Sequence, residues 1–541
     1  METLVSNQRQ SWLVWFLRGV LILSFLVLFG RLFELTIIRG AYFRSLSDEN
    51  RIRRISIIAP RGKILARGGE VLVMNKDLNE KVDLHKLDIQ EKGTTIEWQR
   101  FYPMNYGPAH VGGYLGEVSP EELGKVAGKC SDKGPRNLGS IIGRTGLEEE
   151  YDCLLSGIDG ELLLEVDAYG ENLRILGRKN PKAGSDLQTH IDIGLQEKVS
   201  ELIKDKRAAV VVTTPNGEVL ALSSSPSYDP NVFVEEEKDK ERNNYIKDTN
   251  LPLFNRVIGG IYHPGSIYKP LVALASLEEG IIDEKFRFKD EGQITIKNVY
   301  GTYVYRNWYF TQYGGVEGEI DLVRALGRST DTFFYKIGEL TGIDAIVSWS
   351  EKFGLNKKAG IDIPGEVEGL VPSPDWKLNV KGERWFLGNT YHMSIGQGDL
   401  AVTPLAINTA ISLIANGGKI CKPKIVGQTE CTDIGVDINN TELIIRGMKA
   451  ACSSGGTGYT FFDFEEKSGV NVACKTGTAE NEGKEPHAWF TVFAPADDPQ
   501  IVATILIENG GEGSKVAGPI AREIFNYWFK VPVTSTPVPN E

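Results

Sequence analysis

The chain has 541 residues, a length that favours two or three domains over one, and 41% hydrophobic with 24% charged residues is the balance of a globular protein. A formal net charge of −12 argues against a nucleic-acid partner held on a basic face. None of the six cysteines has C-x-x-C spacing, so no metal signature exists, and two readings stay open: Cys421 pairs with Cys431 across a hairpin, or each cysteine is a buried free thiol.

Residues 11–38 (SWLVWFLRGVLILSFLVLFGRLFELTII) form an apolar run long enough to cross a bilayer, which takes about 20 residues. Arg18 and Arg31 bracket its core and can snorkel to the two interfaces. No small-residue cleavage site follows, so the run reads as a retained transmembrane signal anchor, with residues 1–10 a short cytoplasmic tail. Beyond it, Arg39, Arg44, Arg51, Arg53 and Arg54 outnumber the basic residues before it. Taken alone, the positive-inside rule would put everything downstream in the cytoplasm.

Residues 40–190 alternate short β-like runs with glycine and charged turns, as in ISIIAPRGKILARGGEVLVMN, and predict a mostly β module. DLQTHID then leads into an amphipathic helix near 193–205. RAAVVVTTPNGEVLALSSS (207–225) predicts a hairpin with Pro215-Asn216-Gly217 at its turn. Helical runs between glycine-rich loops follow, then the strands VACKTGTAE and HAWFTVFAP with QIVATILIEN, then a helix PIAREIFNYWF ending near 530. Strands from both ends of 191–530 enclosing helices predict an α+β domain with one antiparallel sheet. Residues 531–541 read as a disordered tail.

Three short motifs carry the candidate chemistry. In HPGSIYKP, Ser266 precedes Lys269 by one helical turn, at a helix start. Ser266 is either an N-cap or a nucleophile whose proton goes to a desolvated lysine. In LGRSTDTFFYKIGEL, Ser329 and Asp331 either cap the next helix or present a polar loop to that nucleophile. In VNVACKTGTAE, alternation marks a strand that ends in Lys475-Thr476-Gly477-Thr478, a cation and two hydroxyls suited to a carboxylate. Lys467-Ser468-Gly469 lies nearby without preceding alternation and is set aside.

In this order, S-x-x-K, S-x-[ND] and K-T-G are the signature of penicillin-recognising acyl transferases. The stretches PLFNRVIGGIYHPGSIYKP, MSIGQGDLAVTPLAINTAISLIANGG and CKTGTAE resemble the transpeptidase domain of class B penicillin-binding proteins. ENRIRRISIIAPRGKIL, RFYPMNYGPAHVGGYLGEVSPEEL and GRTGLEEEYDCLLSGIDGELLLEVDAYG resemble that class's membrane-proximal, dimerisation-type pedestal. The resemblance runs from the anchor to about residue 530 and is greatest to the elongation-type branch, where aspartate at the place of Asp331 is familiar. It implies an α+β penicillin-binding transpeptidase fold at 191–530, preceded by a mostly β pedestal at 40–190 and one transmembrane helix.

The resemblance also implies a D,D-transpeptidase acting on peptidoglycan stem peptides, with penicillin as a covalent ligand. Ser266 would attack the penultimate D-Ala carbonyl, Lys269 would be the base, and Ser329 would pass protons to the leaving amine. Backbone N–H groups of Ser266 and Thr478 would form the oxyanion hole, while Lys475, Thr476, Gly477 and Thr478 would hold the substrate carboxylate. Asp331, counted with the catalytic group, is expected to hold a proton on Lys269 and raise its pKa. No metal or cofactor is implied. The expected partner is a membrane glycosyltransferase of the RodA/FtsW type, and the expected site is the outer side of the plasma membrane, against the charge count. Few residues separate GEVLVMNKD from RFYPMN, where elongation-type relatives carry a longer head, so contacts made through that head are in question. A catalytically weak scaffold and a β-lactam sensor share the same fold and stand as alternatives. Gly396-Gln397-Gly398 is read as a structural loop near the site, and Trp376, Trp385 and His392 as candidate groove residues. Asp362, Asp375 and His392 lack the regular spacing of metal ligands.

Overall fold

The computed structural model describes residues 12–77, 82–83, 94–95, 98–126, 128–167, 169, 171–299 and 301–531. The expected tail 1–10, most of the stretch assigned to a shortened head, and residues 532–541 lie outside the described residues. Two compact units share the chain: one takes the segments up to Pro60, Asp77–Trp98 and Ile158–Ala183, the other Arg61–Lys76, Gln99–Gly157 and everything from Gly184. The boundary drawn near 190 therefore does not separate compact units. Ile64, Ala66, Val73, Tyr102, Val111, Leu147 and Leu155, all from the expected pedestal, are buried in one core with Leu271, Phe333 and Ile407 from beyond 190.

In the smaller unit, helix α1 (Trp12–Phe33) passes through one π turn, Glu34–Ile38, into α2 (Gly40–Arg51). Trp12–Ile38 is long and apolar enough to cross a membrane. Strands β1 (Ile52–Ile57), β2 (Gly160–Val166) and β3 (Asn172–Lys179) form an antiparallel sheet with β2 at its centre. Ile57, Leu162 and Leu164 pack on one face with Ile55 and Ile175. Glu165 accepts from Arg51 and, at 2.6 Å, from Arg174, while Arg54 reaches Glu161 at 3.2 Å. Arg39 pairs with Glu34 at 3.1 Å. Three of the five arginines after the span are thus held by carboxylates of this unit.

The larger unit begins with a small sheet of Ile64–Leu65, Val71–Asp77, Trp98–Phe101 and Leu187–Gln188. Behind it, Glu148 is fully buried between Arg61 (2.8 Å) and Arg100 (2.6 Å), and Asp152 takes Arg61 (2.8 Å) and Arg136 (2.7 Å). Buried charges persist only when paired, and these pairs join the three pedestal stretches quoted above.

Helix α3 (Ile193–Ile203) is capped by Asp192, whose carboxylate accepts from the Leu195 amide at 2.9 Å. Strands β4 (Ala208–Thr213) and β5 (Val219–Ser225) are the expected hairpin. Gly217 takes φ +92° in the turn, where an added Cβ would stand 2.8 Å from the Lys422 carbonyl oxygen. Helix α4 (Lys269–Glu278) follows, then α5 (Trp308–Tyr313), α6 (Leu322–Arg328), α7 (Asp331–Thr341), α8 (Pro404–Ala415) and α9 (Ile438–Ala451). Strands β6 (Ala473–Asn481), β7 (Lys484–Ala494) and β8 (Ile501–Ile507) complete a five-stranded antiparallel sheet of order β5-β4-β8-β7-β6.

Strand β4 is buried along its whole length because helices cover both faces. Its Ala209 and Val211 join the core containing α4 and α8, while Ala208, Val210 and Val212 join the core of α3 and the last helix. Helix α8 is entirely buried, its polar Asn408, Thr409 and Ser412 included, with Thr403 accepting from the Ala406 amide at 3.1 Å as its cap. The last helix, α10, spans Gly513–Trp528 and carries Pro519 inside it. The expectation that it starts at Pro519 is corrected: a proline can occupy the first turns, and here the start is set six residues earlier.

All six cysteines are paired, as Cys130–Cys153, Cys421–Cys431 and Cys452–Cys474. The free-thiol reading does not hold for them.

Candidate active site

A 3₁₀ turn, Gly265–Tyr268, leads into α4, and Ser266 is its second residue. The cap position falls on Pro264, and no side chain caps this turn. Ser266 is therefore not an N-cap, because the turn starts before it. Gly265, at φ +57°, donates its amide to the Gly396 carbonyl at 2.8 Å. A Cβ on Gly396 would meet the Gly265 oxygen at 2.2 Å, so the Gly396-Gln397-Gly398 loop packs directly on the turn that carries Ser266.

Lys269 opens α4 and is fully buried. Its Nζ donates to the Ser329 carbonyl (2.7 Å), the Ser329 Oγ (3.3 Å) and the Asp331 Oδ1 (2.6 Å). Ser329 lies between α6 and α7 with φ 57°, ψ 38°, a left-handed conformation costly to any residue with a Cβ. Its position excludes the capping role, since the N-cap of α7 is Thr330 and no side chain caps it. From the other side, Lys475 Nζ donates to the Ser329 Oγ at 2.8 Å and to the Thr476 carbonyl at 3.1 Å. One serine hydroxyl is thus shared by two buried lysines.

Burial drives both lysines downward in pKa. For Lys269 desolvation is the largest cause, opposed by the charge of Asp331. For Lys475 desolvation is again first, reinforced by the neighbouring charge of Lys269, and its pKa falls well below the ordinary value. Asp331 does pull Lys269 upward as expected, yet burial outweighs it and the net direction is down. That corrects the expected sign.

The K-T-G-T segment runs along β6, the edge strand. Gly477 sits where a Cβ would stand 2.9 Å from Ile267 Cγ2 and 3.0 Å from Trp489 Cβ, so β6 rests against the Ser266 turn. Thr476 donates its hydroxyl to that of Thr457 at 2.9 Å, and the exposed Thr478 accepts from the Gly513 amide at 3.3 Å. Cys474, immediately before Lys475, ties β6 to Cys452 at the end of α9. Lys467, by contrast, pairs with Asp463 (2.6 Å), and Ser468 donates to the Phe464 carbonyl (2.6 Å) within one short helix.

Sequence reading missed three contributors. The Trp308 amide donates to Asp331 Oδ2 at 2.9 Å, and Asn307 Oδ1 accepts from the Asp331 amide at 3.1 Å. Thr457 is the third. Among the candidate groove residues, His392 packs edge-on to Tyr305 with ring centroids 5.7 Å apart, Trp385 donates to Thr390 Oγ1 at 2.9 Å, and Lys381 lies over Trp376. Asp362 is engaged by the Tyr151 hydroxyl (2.8 Å) and the amides of Ile425 (2.7 Å) and Val426 (2.9 Å), a structural role.

A buried lysine one turn from a serine, with a second serine bridging to a lysine on an edge strand, is the layout of the penicillin-recognising serine acyl transferases. Residues 207–526 match the family model described as the penicillin-binding protein transpeptidase domain, and residues 77–189 match the penicillin-binding protein dimerisation domain. The peptidoglycan D,D-transpeptidase MrdA of Acinetobacter baumannii is 31% identical, over 95% of this chain and 87% of its own length. That of Escherichia coli K12 is 30% identical, over 94% and 92%. The structure of Pseudomonas aeruginosa PBP2 superposes with a TM-score of 0.74 at 30% identity, covering 90% of this chain and all of that one. The chain belongs to the penicillin-binding protein transpeptidase family, as a class B member of the elongation-type branch.

Proposed function

We propose that this chain is a membrane-anchored serine D,D-transpeptidase that cross-links peptidoglycan stem peptides through an acyl-enzyme on Ser266. The observation that carries the reading is the Ser329 hydroxyl held between the Nζ atoms of Lys475 and of Lys269, the latter one helical turn after Ser266. Burial favours the neutral amine, so Lys269 takes the Ser266 proton as the hydroxyl attacks the penultimate D-Ala carbonyl. The amides of Ser266 and Thr478 receive the oxyanion, and Ser329 delivers the proton to the departing D-Ala amine. Lys475, Thr476 and Thr478 line the edge strand for the substrate carboxylate, with Gly477 allowing close approach. An acceptor amine from a neighbouring strand then takes the acyl group.

The anchor fits Trp12–Ile38, and the catalytic unit lies on the outer face of the membrane. Three disulfides support that side, since such bonds persist in oxidising compartments. By function, 40–190 acts as pedestal and 191–530 as transpeptidase. β-Lactams acylate Ser266 in place of substrate. A Helicobacter pylori PBP2, 27% identical, has been solved in complex with MreC, and a further relative, 26% identical over 97% of this chain, in a peptidoglycan synthase complex that couples polymerisation to cross-linking. Both support an assembly partner here, for which we infer a RodA/FtsW-type membrane glycosyltransferase that supplies the nascent strand. Labelling with a fluorescent penicillin tests the reading: wild type takes a covalent label and Ser266→Ala takes none. A mutant that still labels overturns the nucleophile. A wild type that labels yet cross-links no stem peptides alongside nascent glycan favours the scaffold or sensor reading instead.

A further inference from the structure

Asp290, at the end of the short strand Phe288–Asp290, is 1% exposed and takes no part in the chemistry above. Its Oδ1 accepts from the Gly292 amide (2.9 Å) and the Thr332 hydroxyl (2.6 Å), and its Oδ2 from the Glu317 amide (2.8 Å) and Asn307 Nδ2 (3.4 Å). A buried carboxylate with four donors is a hub that fixes whatever donates to it. Asn307 is fully buried as well, and its other end, Oδ1, accepts the amide of Asp331. The amide orientation follows from its neighbours: reversed, it would set NH₂ against the Asp331 N–H and oxygen against the Asp290 carboxylate. Next along the chain, the Trp308 amide holds Asp331 Oδ2, leaving Oδ1 for Lys269.

We propose that Asn307 and Asp290 form a positioning bracket for Asp331, fixing its carboxylate so that one oxygen meets the Trp308 amide and the other Lys269. The inference rests on the acyl-transfer reading above. The bracket acts on both ends of the Asp331 connection: Thr332 and the Asp331 amide are fixed at the start of α7, and Trp308 at the start of α5. Neither residue touches substrate. Both act through Asp331 on the base. The titratable groups facing this carboxylate or its lysine are Lys269 from α4, Lys475 from β6 and Tyr335 from α7 itself.

The test is the second-order rate of acylation by a fluorescent penicillin, followed against pH in the full-length, detergent-solubilised protein. Asn307→Ala is expected to slow acylation by about 10- to 100-fold, the scale of a base displaced by about an ångström. It also moves the acid limb of the profile to lower pH, because Lys269 loses part of the negative charge that holds its proton. A loss of packing alone would lower the rate and leave the limb in place. In an Asp331→Asn background the same substitution should add little, since the bracket would have nothing left to position. An unmoved limb, or the same fold-loss in both backgrounds, overturns the proposal. Should Asn307→Ala fail to fold, Thr332→Val removes one donor to Asp290 at nearly constant volume; a smaller limb displacement in the same direction supports the bracket, and none overturns it. A wild type that takes no label overturns the functional reading and this inference with it, whereas a labelled wild type beside an unaffected bracket variant overturns the inference alone.

Discussion

Ser329 separates two effects that most active-site substitutions mix. Its hydroxyl joins Lys269 and Lys475, and its backbone sits at φ 57°. Ser329→Ala removes the hydroxyl and keeps the strain; Ser329→Gly removes both. Taking the acceptor from buried Lys475 leaves it only the Thr476 carbonyl at 3.1 Å, and an orphaned buried donor costs about 1–3 kcal/mol. The left-handed conformation costs a residue with a Cβ about 1–2 kcal/mol, which glycine escapes. The alanine variant should therefore lose ~2 kcal/mol of stability and the glycine variant ~1 kcal/mol or less. Both lose the proton relay. General acid–base groups contribute about 10²- to 10⁴-fold, or roughly 3–5 kcal/mol of barrier. Time courses of fluorescent-penicillin labelling give the rate, and thermal melts give the stability. Either variant acylating within about threefold of wild type would refute the relay, and equal melting temperatures for the two would refute the strain argument.

Three further outcomes are expected. His110 is buried against the Pro252 carbonyl and its pKa is lowered to about 4, so the folded state excludes the proton that the unfolded state accepts near 6.5. Stability is then full above about pH 6.5 and falls as pH drops toward 4, by up to ~3 kcal/mol; His110→Gln should flatten that slope in denaturant titrations, and an unchanged slope refutes the assignment. Gly477→Ala drives a methyl toward Ile267 and Trp489, costing about 1–3 kcal/mol and slowing acylation by displacing the Ser266 turn; wild-type labelling would contradict the packing. Replacing Cys452 and Cys474 with alanine opens the tie just before Lys475, and should cost about 3 kcal/mol and slow labelling, whereas the Cys421–Cys431 pair removed in the same way should leave labelling unchanged.

The grouping of Lys269, Ser329, Asp331 and Lys475 was legible because each motif is local: one helical turn, one interhelical corner, one strand end. The hairpin 207–225 and the antiparallel sheet were legible for the same reason, through alternation and turn chemistry. Asn307, Trp308 and Thr457 reach the site from loops whose sequence has no period, and only the fold brings them there. The direction of the Lys269 pKa was misjudged because Asp331 is visible in the sequence and burial is not. Of the two readings left open for Ser266, the cap is excluded because Pro264 already holds that position. That Arg61, Arg100 and Glu148 meet one another was not legible, because nothing local in the sequence marks pairs that only long-range packing makes.

The ion pairs of the smaller unit bear on the timing of membrane insertion. Arg51 and Arg54 find their carboxylates 114 and 107 residues further along the chain. A nascent helix would have to commit to its orientation while those arginines are still bare, so apolar length rather than flanking charge must decide the outcome in the orientation proposed above. Once Glu161 and Glu165 arrive, the arginines are engaged, and the pull that a negatively charged inner leaflet would exert on them is largely cancelled. In that orientation the folded unit would act as a latch on a topology chosen earlier.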